Sequence, residues 1–251
     1  MEALVLCGGF AKRLEPIGEF IPKALLTLNG IPLADYIVSD LEREKDITSI
    51  TISTNLKFAD QFKYWLKLKK MAGLSKEVKL VIEPATSNEN KFGAVKGIAY
   101  DIKKARITDD LVVIAGDNFY TFELSKLIRS MLISRMPAIV VYDVRSKESA
   151  KRFGVVKVGK GGVIKEFEEK PEKPHSTLVS TGIYFFPKSM LKYFDEYLES
   201  SQNTDNIGDF VKWLAEKQQV HAIIPSRGEW FDIGTIDGYR EIFHRMKKVK
   251  G

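Results

Sequence analysis

Cysteine is almost absent from this chain of 251 residues, which contains Cys7 and no other. A single thiol cannot form an internal disulfide, so the sequence excludes the cross-linked scaffolds of small secreted domains. This composition is typical of the reducing cytoplasm, and we expect a cytoplasmic protein. Cys7 ends an apolar strand with no histidine close to it in the sequence. We therefore interpret it as a buried structural thiol rather than a nucleophile.

Long apolar runs and dense basic stretches are also missing. No segment approaches the roughly 20 apolar residues that a membrane helix requires, and Met1 leads into a strand rather than a signal peptide. Lysine and arginine number 39 against 33 for aspartate and glutamate, and the surplus is spread along the chain. Nucleic-acid binders concentrate basic residues on one face. The composition therefore predicts neither a membrane nor a nucleic-acid partner.

The first half of the chain does contain a regular alternation of strands and helices. The pattern predicts strands at 3–7, 47–53, 78–83, 111–116 and 138–144, separated by helices at 32–44, 58–70, 92–105 and 123–134. Such alternation is typical of an α/β protein with a doubly wound, mostly parallel, Rossmann-like sheet. Ligands of these folds bind at the carboxyl ends of the strands.

The pattern changes near residue 150, where residues begin to alternate with a period of two. This alternation around a Gly-Gly turn predicts a hairpin over 154–170. Beyond it we expect a strand at 180–187, helices at 188–198 and 207–217, a strand at 220–225 and a helix at 236–247. The whole chain, 1–251, is predicted to form one domain with a smaller, β-rich lobe in its second half.

The loop after the first strand, GGFAKRL at 8–14, has features that suit an anion. Gly8 and Gly9 allow close approach of the backbone and can direct amides at a negative ligand. Arg13 and, further along, Lys23 supply positive charge for phosphate oxygens. The loop matches neither G-x4-G-K-[ST] nor G-x-G-x-x-G. Taken alone, a surface loop with incidental charges is therefore an equal alternative.

Three further segments carry charged residues near strand ends. In GDN, Asp117 follows a buried strand, which suits a Mg²⁺ ligand or, alternatively, a turn cap. In WFDIGT, Asp232 stands among apolar residues and therefore needs a partner such as a metal ion, an arginine or a helix amide. In FEEKP, Glu169 and Lys170 suit a sugar and a phosphate, although an ordinary charged pair is the simpler interpretation.

Taken together and in this order, the motifs resemble the sugar-1-phosphate nucleotidyltransferases over nearly the whole chain. The resemblance is carried by LVLCGGFAKRL, PKALL, FGAVKGI, GDN, FGVV, EEKP, STGIYFF, NTDNIGDFV and WFDIGT. It implies a nucleotide-binding half over 1–145 and a sugar-phosphate-binding half over 146–251. It also implies a chain without the carboxy-terminal β-helix acyltransferase that some relatives carry.

The resemblance further implies a reaction and a set of site residues. A sugar 1-phosphate would attack the α-phosphorus of a nucleoside triphosphate and release pyrophosphate, with Mg²⁺ as cofactor. The attacking phosphate is already ionised because its second pKa is about 6, so no general base is needed. The implied catalytic residues are Arg13 and Lys23; the nucleotide-binding residues are Gly8, Gly9, Arg13, Lys23, Glu83 and Gly93; the sugar-phosphate-binding residues are Gly154, Glu169 and Lys170; and the metal ligands are Asp117 and Asp232.

Two departures from the family pattern concern the nucleotide. Ala11-Lys12 replaces the Gly-Thr of many members, and the polar EPATSNENK at 83–91 replaces a segment that helps to select the base. We expect loose selection, with UTP and dTTP both used with glucose 1-phosphate. The alternatives are a mannose-1-phosphate guanylyltransferase using GTP, a cytidylyltransferase, and a catalytically silent regulatory subunit that binds nucleotide sugars. The retained charged residues favour an enzyme, and both a monomer and a homo-oligomer are compatible with the sequence.

Overall fold

A computed structural model describes residues 1–200 and 203–248 of the chain. The chain forms two compact units, each assembled from segments that are distant in sequence. Unit 1 comprises Met1–Lys91, Ile114–Leu124 and Gly228–Gly251, and unit 2 comprises Phe92–Val113 and Ser125–Arg227. These units do not divide at residue 145, because each contains segments from both sides of that residue. The nucleotide-binding half (1–145) and the sugar-phosphate-binding half (146–251) therefore stay a prediction.

The regular elements are numbered in chain order. The strands are β1 (Glu2–Leu6), β2 (Thr27–Leu28), β3 (Ile31–Pro32), β4 (Ser49–Asn55), β5 (Glu77–Glu83), β6 (Leu111–Ala115), β7 (Asn118–Tyr120), β8 (Ala138–Asp143), β9 (Gly154–Val158), β10 (Ile164–Glu169), β11 (Leu178–Phe186), β12 (His221–Ile223) and β13 (Trp230–Asp232). The helices are α1 (Ile17–Phe20), α2 (Leu33–Arg43), α3 (Ala59–Met71), α4 (Ala94–Ala105), α5 (Leu124–Ser134), α6 (Lys147–Ala150), α7 (Lys192–Ser200), α8 (Ile207–Lys217) and α9 (Ile236–Lys248).

Unit 1 is built on parallel strands. β4 lies between β1 and β5 and pairs in parallel with both, and the end of β6 lies on the other side of β1. Every residue of β4 is buried, as expected for a strand covered on both faces. Helices α2 and α3 bury the apolar stripes that the 3.6-residue period predicts, including Ile37, Leu41, Phe62 and Leu66.

A short antiparallel ribbon completes the site-bearing part of unit 1. β13 pairs with β7, and Trp230, Phe231 and Asp232 lie opposite Tyr120, Phe119 and Asn118. The Trp230 indole donates a hydrogen bond of 3.1 Å to the Asn118 side chain. The ribbon joins segments more than 100 positions apart, and the sequence pattern does not predict it.

Unit 2 contains mostly antiparallel strand pairs and has its own aromatic core. β11 pairs antiparallel with β8 and β9, β9 and β10 form an antiparallel hairpin, and β12 runs parallel to β8. Helix α8 packs on β10. Phe186, Phe194 and Phe210 are fully buried against one another, with Phe194 and Phe210 stacked at 4.3 Å between ring centroids.

The predicted fold class, α/β with a mostly parallel central sheet and a β-rich second part, is confirmed. The predicted helices and strands are all present with shifts of a few residues at their ends; the largest is at α7, where a 3₁₀ turn over Lys188–Met190 precedes the helix. Within the described residues, no helix is both long enough and apolar enough to span a membrane.

Candidate active site

The glycine loop begins where β1 ends, and its two glycines are in different surroundings. An added Cβ at Gly8 would lie 3.3 Å from Oε1 of Glu83, whereas one at Gly9 would meet nothing within 4 Å. Gly9 is therefore the open position through which a ligand can approach the backbone. Ala11 follows with a left-handed φ of 53° and is buried. The loop then enters the 3₁₀ turn Lys12–Leu14, on which Arg13 is exposed.

One hydrophobic cluster ties this loop to the strands that carry the two aspartates. Ala11 and Leu14 from the loop pack with Phe119 of β7 and with Ile233, which follows Asp232. The remaining buried members are Leu26, Leu28, Leu33 and Ile242. The cluster explains how residues separated by more than 200 positions are held at one place in unit 1, since burial of apolar surface is the main force holding such segments together.

The predicted metal ligands Asp117 and Asp232 are adjacent in unit 1. The amide of Ile233 donates a hydrogen bond of 2.9 Å to the carbonyl of Asp117. Asp232 lies opposite Asn118, the residue that follows Asp117. Its Oδ1 accepts a hydrogen bond of 3.2 Å from the Gly234 amide. The structure therefore brings the backbones of the two aspartates together from 115 positions apart in the sequence.

Lys23 lies beside the first of these aspartates. Its Nζ donates to Oδ2 of Asp117 at 3.1 Å, and the exposed fractions of the two side chains are only 16% and 29%. Lys23 starts a 3₁₀ turn directly after Pro22, which fixes the direction in which the chain enters the turn. Lys23 and the two aspartates, all in unit 1, form a charged group within that unit.

The donor set fits Mg²⁺ better than a metal enclosed by the protein. Within residues 1–200 and 203–248, no cluster of three or more histidine, cysteine or acidic side chains could hold a metal. Mg²⁺ is commonly held by one or two carboxylates, with water and substrate phosphates completing its octahedron. Asp117 and Asp232 match that requirement.

Glu83, predicted to bind the nucleotide, is the last residue of β5 and is 7% exposed. Its Oε1 lies against Gly8 and accepts a hydrogen bond of 3.3 Å from the Ser53 hydroxyl. Burial raises the pKa of the Glu83 carboxyl above its usual range, and the Ser53 hydrogen bond opposes this rise. Glu83 therefore lies beside Gly8 of the glycine loop, and its binding of a nucleotide stays a prediction.

Gly93, also predicted for the nucleotide, lies in unit 2 at the start of α4. Its φ is +76°, and an added Cβ would come within 2.6 Å of the Thr204 carbonyl. The first helical amides, those of Ala94 and Val95, donate to the carbonyls of Asp205 and Thr204 at 3.1 and 3.0 Å. Glycine is therefore required at this helix start both by conformation and by close packing.

The three residues predicted to bind the sugar phosphate are grouped on the β9–β10 hairpin of unit 2. Gly154 lies opposite Glu169 in register, and an added Cβ at Gly154 would come within 2.4 Å of the Phe167 ring. Lys170 has a φ of +46°, and its amide donates to the Phe153 carbonyl at 3.0 Å. Its Nζ lies 3.0 Å from Oε1 of Glu169. Left-handed conformations in residues other than glycine are uncommon and occur disproportionately at functional sites.

Several residues that lie on or beside the glycine loop were not singled out by the sequence analysis. The buried side chain of Asn55, at the end of β4, donates a hydrogen bond of 2.9 Å to the Gly8 carbonyl. The rule that singled out the aspartate of GDN, a polar residue at the carboxyl end of a buried strand, also applies to STN at 53–55. Lys12 belongs to the Ala11-Lys12 departure and Glu89 to the EPATSNENK departure from the family pattern. The Nζ of Lys12 lies 3.2 Å from Oε1 of Glu89.

Comparison with known proteins identifies the family. The sequence model described as "Nucleotidyl transferase" matches residues 2–249. The chain therefore belongs to the nucleotidyl transferase family. The roles of individual site residues stay predictions, since family membership does not test them.

Individual relatives are more distant. A Sulfolobus acidocaldarius protein assigned as a mannose-1-phosphate guanyltransferase is 31% identical over 250 residues, which cover 100% of this chain and 64% of that protein. A Sulfurisphaera tokodaii bifunctional sugar-1-phosphate nucleotidylyltransferase/acetyltransferase is 29% identical over 236 residues, covering 93% of this chain and 52% of that protein. The chain spans between about half and two thirds of the length of these curated relatives. A crystal structure of UDP-glucose pyrophosphorylase complexed with UDP-glucose matches with a TM-score of 0.82 at 20% identity, covering 98% of each chain, which supports the fold alone.

Proposed function

We propose that this chain is a sugar-1-phosphate nucleotidyltransferase that joins a nucleoside triphosphate to a sugar 1-phosphate and releases pyrophosphate. The observation that carries the proposal is the grouping of Lys23, Asp117 and Asp232 in unit 1, together with the glycine loop. This arrangement suits two polyanions, because the lysine and a metal ion held by the carboxylates would oppose the repulsion between the substrates. The single cysteine supports a cytoplasmic location.

The chemistry requires positioning and charge neutralisation more than proton transfer. The sugar-phosphate oxygen is already a nucleophile at neutral pH. Mg²⁺ held by Asp117 and Asp232 would supply neutralisation of the triphosphate charge. The open Gly9 backbone and the exposed Arg13 are placed to bind phosphate oxygens, and Lys23 is placed to act beside Asp117. Electrostatic stabilisation by such fixed groups is usually the largest single contribution to catalysis.

The hairpin of unit 2 supports a separate site for the sugar phosphate. Lys170 offers a half-exposed ammonium to a phosphate, and Glu169 offers carboxylate oxygens to sugar hydroxyl groups. The backbone at Lys170 is left-handed, a conformation that Arg106, Arg135 and Arg145 also adopt.

The nucleotide expected from the sequence is UTP or dTTP, with glucose 1-phosphate as its partner. GTP with mannose 1-phosphate is a second candidate, which an ionised Glu83 would favour. An ionised Glu83 can only accept hydrogen bonds, and the guanine edge presents two donors, N1–H and the N2 amino group. Uracil and thymine present one N3–H between two carbonyl acceptors. The Sulfolobus relative is named as a guanyltransferase acting on mannose 1-phosphate.

The protonation state of Glu83 decides between these candidates. A neutral carboxyl both donates and accepts, like an amide, and therefore matches the imide of uracil or thymine. Burial of Glu83 favours this neutral form. The substitution Glu83→Gln, which fixes an amide at the position, should shift the preference from GTP toward UTP and dTTP if the side chain contacts the base.

A pyrophosphate-release screen tests the proposed function. Five nucleoside triphosphates are each combined with glucose 1-phosphate, mannose 1-phosphate and N-acetylglucosamine 1-phosphate, with and without Mg²⁺. We expect release that requires Mg²⁺ and both substrates. A preference for GTP above about a hundredfold, roughly 2.7 kcal/mol, selects the guanylyltransferase candidate. If the chain binds nucleotide sugars but no pair of substrates gives pyrophosphate release, the proposal of an enzyme is overturned in favour of the silent regulatory subunit.

A further inference from the structure

The central position of β4 in unit 1 gives its carboxyl end access to two loops. β4 lies between β1 and β5, and all three strands are parallel. The glycine loop follows β1, and the EPATSNENK segment begins at the end of β5. The intervening segment, Ser53–Leu56, is therefore placed to contact both nucleotide loops at once.

On the side of β1, this segment holds the start of the glycine loop. The Cys7 amide donates to the Ser53 carbonyl at 2.7 Å, which extends the parallel ladder to the first loop residue. Beyond that point the backbone ladder ends. The Asn55 side chain then donates to the Gly8 carbonyl at 2.9 Å. The Asn55 side chain thus makes the next hydrogen bond to the chain after the last backbone hydrogen bond between β1 and β4.

On the side of β5, the same segment holds the base-side loop. The Ser53 hydroxyl donates to Glu83 at 3.3 Å, and the Leu56 amide donates to the Ala85 carbonyl at 2.9 Å. Glu83 in turn lies against Gly8. Residues 53–56 consequently fix the two loops relative to each other.

Asn55 is itself held in one orientation. It is fully buried, and its Oδ1 accepts a hydrogen bond of 3.1 Å from the Phe58 amide, which caps the turn Leu56–Phe58. With its oxygen committed to Phe58, the NH₂ group must face Gly8. The side-chain amide supplies both the donor and the acceptor of this arrangement, whereas a carboxylate lacks the donor.

We infer that Asn55 is a positioning residue that sets the glycine loop for the nucleotide. It acts through the Gly8 carbonyl and the orientation of the following amides. The inference rests on the proposed function for its kinetic consequence, because the loop is assigned there to the nucleoside triphosphate.

The test separates the two hydrogen bonds of Asn55. Asn55→Asp keeps an acceptor for the Phe58 amide and removes the donor to Gly8, whereas Asn55→Ala removes both. The matched control is Ser49→Ala, which deletes a buried hydrogen bond of 3.1 Å to Glu2 at the opposite end of the same strand. Thermal melting of all three variants verifies folding, and the Asn55→Ala variant alone carries the test if the aspartate variant does not fold.

Two measurements decide the inference. Amide hydrogen exchange of residues 8–14 in the substrate-free protein should rise in both Asn55 variants and stay at the wild-type level in Ser49→Ala. The KM for the nucleoside triphosphate should rise about tenfold in the Asn55 variants, with the KM for the sugar 1-phosphate within about twofold of wild type. Loop exchange and nucleotide KM equal to those of Ser49→Ala would overturn the inference.

The exchange measurement requires no substrate, so it distinguishes this inference from the proposed function. If the wild-type chain releases no pyrophosphate with any substrate pair, the proposed function fails. Exchange in residues 8–14 then still decides whether Asn55 sets the loop.

Discussion

In unit 1 the charged groups of the candidate site are held by contacts between distant segments, whereas in unit 2 they are held by one hairpin. Lys23 and Asp117 lie 94 positions apart in the sequence and are mostly buried. Glu169 and Lys170 are neighbours, and half of the lysine side chain is exposed. The comparison shows that unit 1 offers groups fixed before any ligand binds, while unit 2 offers a charged pair on a strained but accessible turn.

This difference predicts different kinetic consequences. Fixed, partly desolvated charges are suited to stabilising the transition state, so their loss should lower kcat. An exposed binding group should contribute more equally to substrate and transition state, so its loss should raise KM.

The largest effect is expected for the two aspartates of unit 1. Asp117→Asn and Asp232→Asn should each lower kcat about a thousandfold, because an amide is a poorer Mg²⁺ ligand than a carboxylate. Asp117→Asn should also lower stability by up to about 3 kcal/mol, since it breaks a mostly buried ion pair with Lys23. Steady-state rates over a Mg²⁺ titration and thermal melting provide the measurements.

Asp60→Asn is the control for these variants. It makes the same chemical change at a 93% exposed carboxylate of α3 and should leave kcat unaltered. Full Mg²⁺-dependent turnover by either Asp117→Asn or Asp232→Asn would remove the metal assignment.

Arg13→Ala should have the next largest effect. Its charge is needed most as the triphosphate reacts, so kcat should fall about a hundredfold with a smaller change in KM for the nucleotide. Arg13→Lys should recover part of the loss. Lys12→Ala, at the neighbouring residue that pairs with Glu89, is the control and should change kcat far less. An equal loss in both alanine variants would show that the loop needs only net positive charge.

Lys170 provides the contrasting test in unit 2. Lys170→Ala should raise the KM for the sugar 1-phosphate about tenfold and leave the nucleotide KM near its wild-type value. Lys165→Ala, on the strand β10 that ends just before Lys170, is the control and should have no kinetic effect. A change confined to the nucleotide KM would contradict the role assigned to Lys170.

The same position separates charge from backbone strain. Lys170→Gly should match the KM of Lys170→Ala but be more stable by about 1 kcal/mol, because glycine adopts the observed φ of +46° without steric cost. Urea unfolding of the two variants measures this difference. Equal stability would show that the turn carries no strain.

The smallest predicted effect is on stability and concerns Glu83. Its folded-state pKa is raised above 4.5 by burial, so the folded chain binds the proton more tightly than the unfolded chain. Stability from this group is therefore present at low pH and declines as pH rises from about 4.5 through the raised pKa. Glu83→Gln should lack this decline and be more stable than wild type at pH 7.

Denaturant unfolding at pH 4 to 8 measures the Glu83 effect. The advantage of Glu83→Gln should shrink at the acidic end, where the wild-type carboxyl is neutral. An advantage that is constant over the whole range would rule out titration of Glu83 as its cause.

How far the site could be predicted from the sequence differs between the two units. The hairpin of unit 2 follows from local alternation and a Gly-Gly turn, so Gly154 and Glu169 could be placed near each other from pattern alone. The α/β fold likewise follows from strand and helix periodicity. In unit 1, no spacing rule connects Asp117 with Asp232, and their proximity depends on the short β7–β13 ribbon. The family resemblance, rather than local pattern, suggested that pair.

Asn55 escaped prediction for a related reason. A buried asparagine at a strand end commonly caps the following turn, and Asn55 does cap the turn Leu56–Phe58. Its second hydrogen bond, to Gly8, joins neighbouring parallel strands that are 47 positions apart. Contacts of that kind are determined by sheet order, which strand and helix periodicity alone do not specify.

The central claim, direct attack of a sugar phosphate on the α-phosphorus of a nucleotide, can be tested by following oxygen atoms. Sugar 1-phosphate labelled with ¹⁸O in its non-bridging oxygens is incubated with the preferred nucleoside triphosphate and Mg²⁺, and the products are examined by ³¹P NMR and mass spectrometry. The account predicts ¹⁸O in the bridge between the two phosphorus atoms of the nucleotide sugar and none in the released pyrophosphate. Label in pyrophosphate, or an unlabelled bridge, would contradict it.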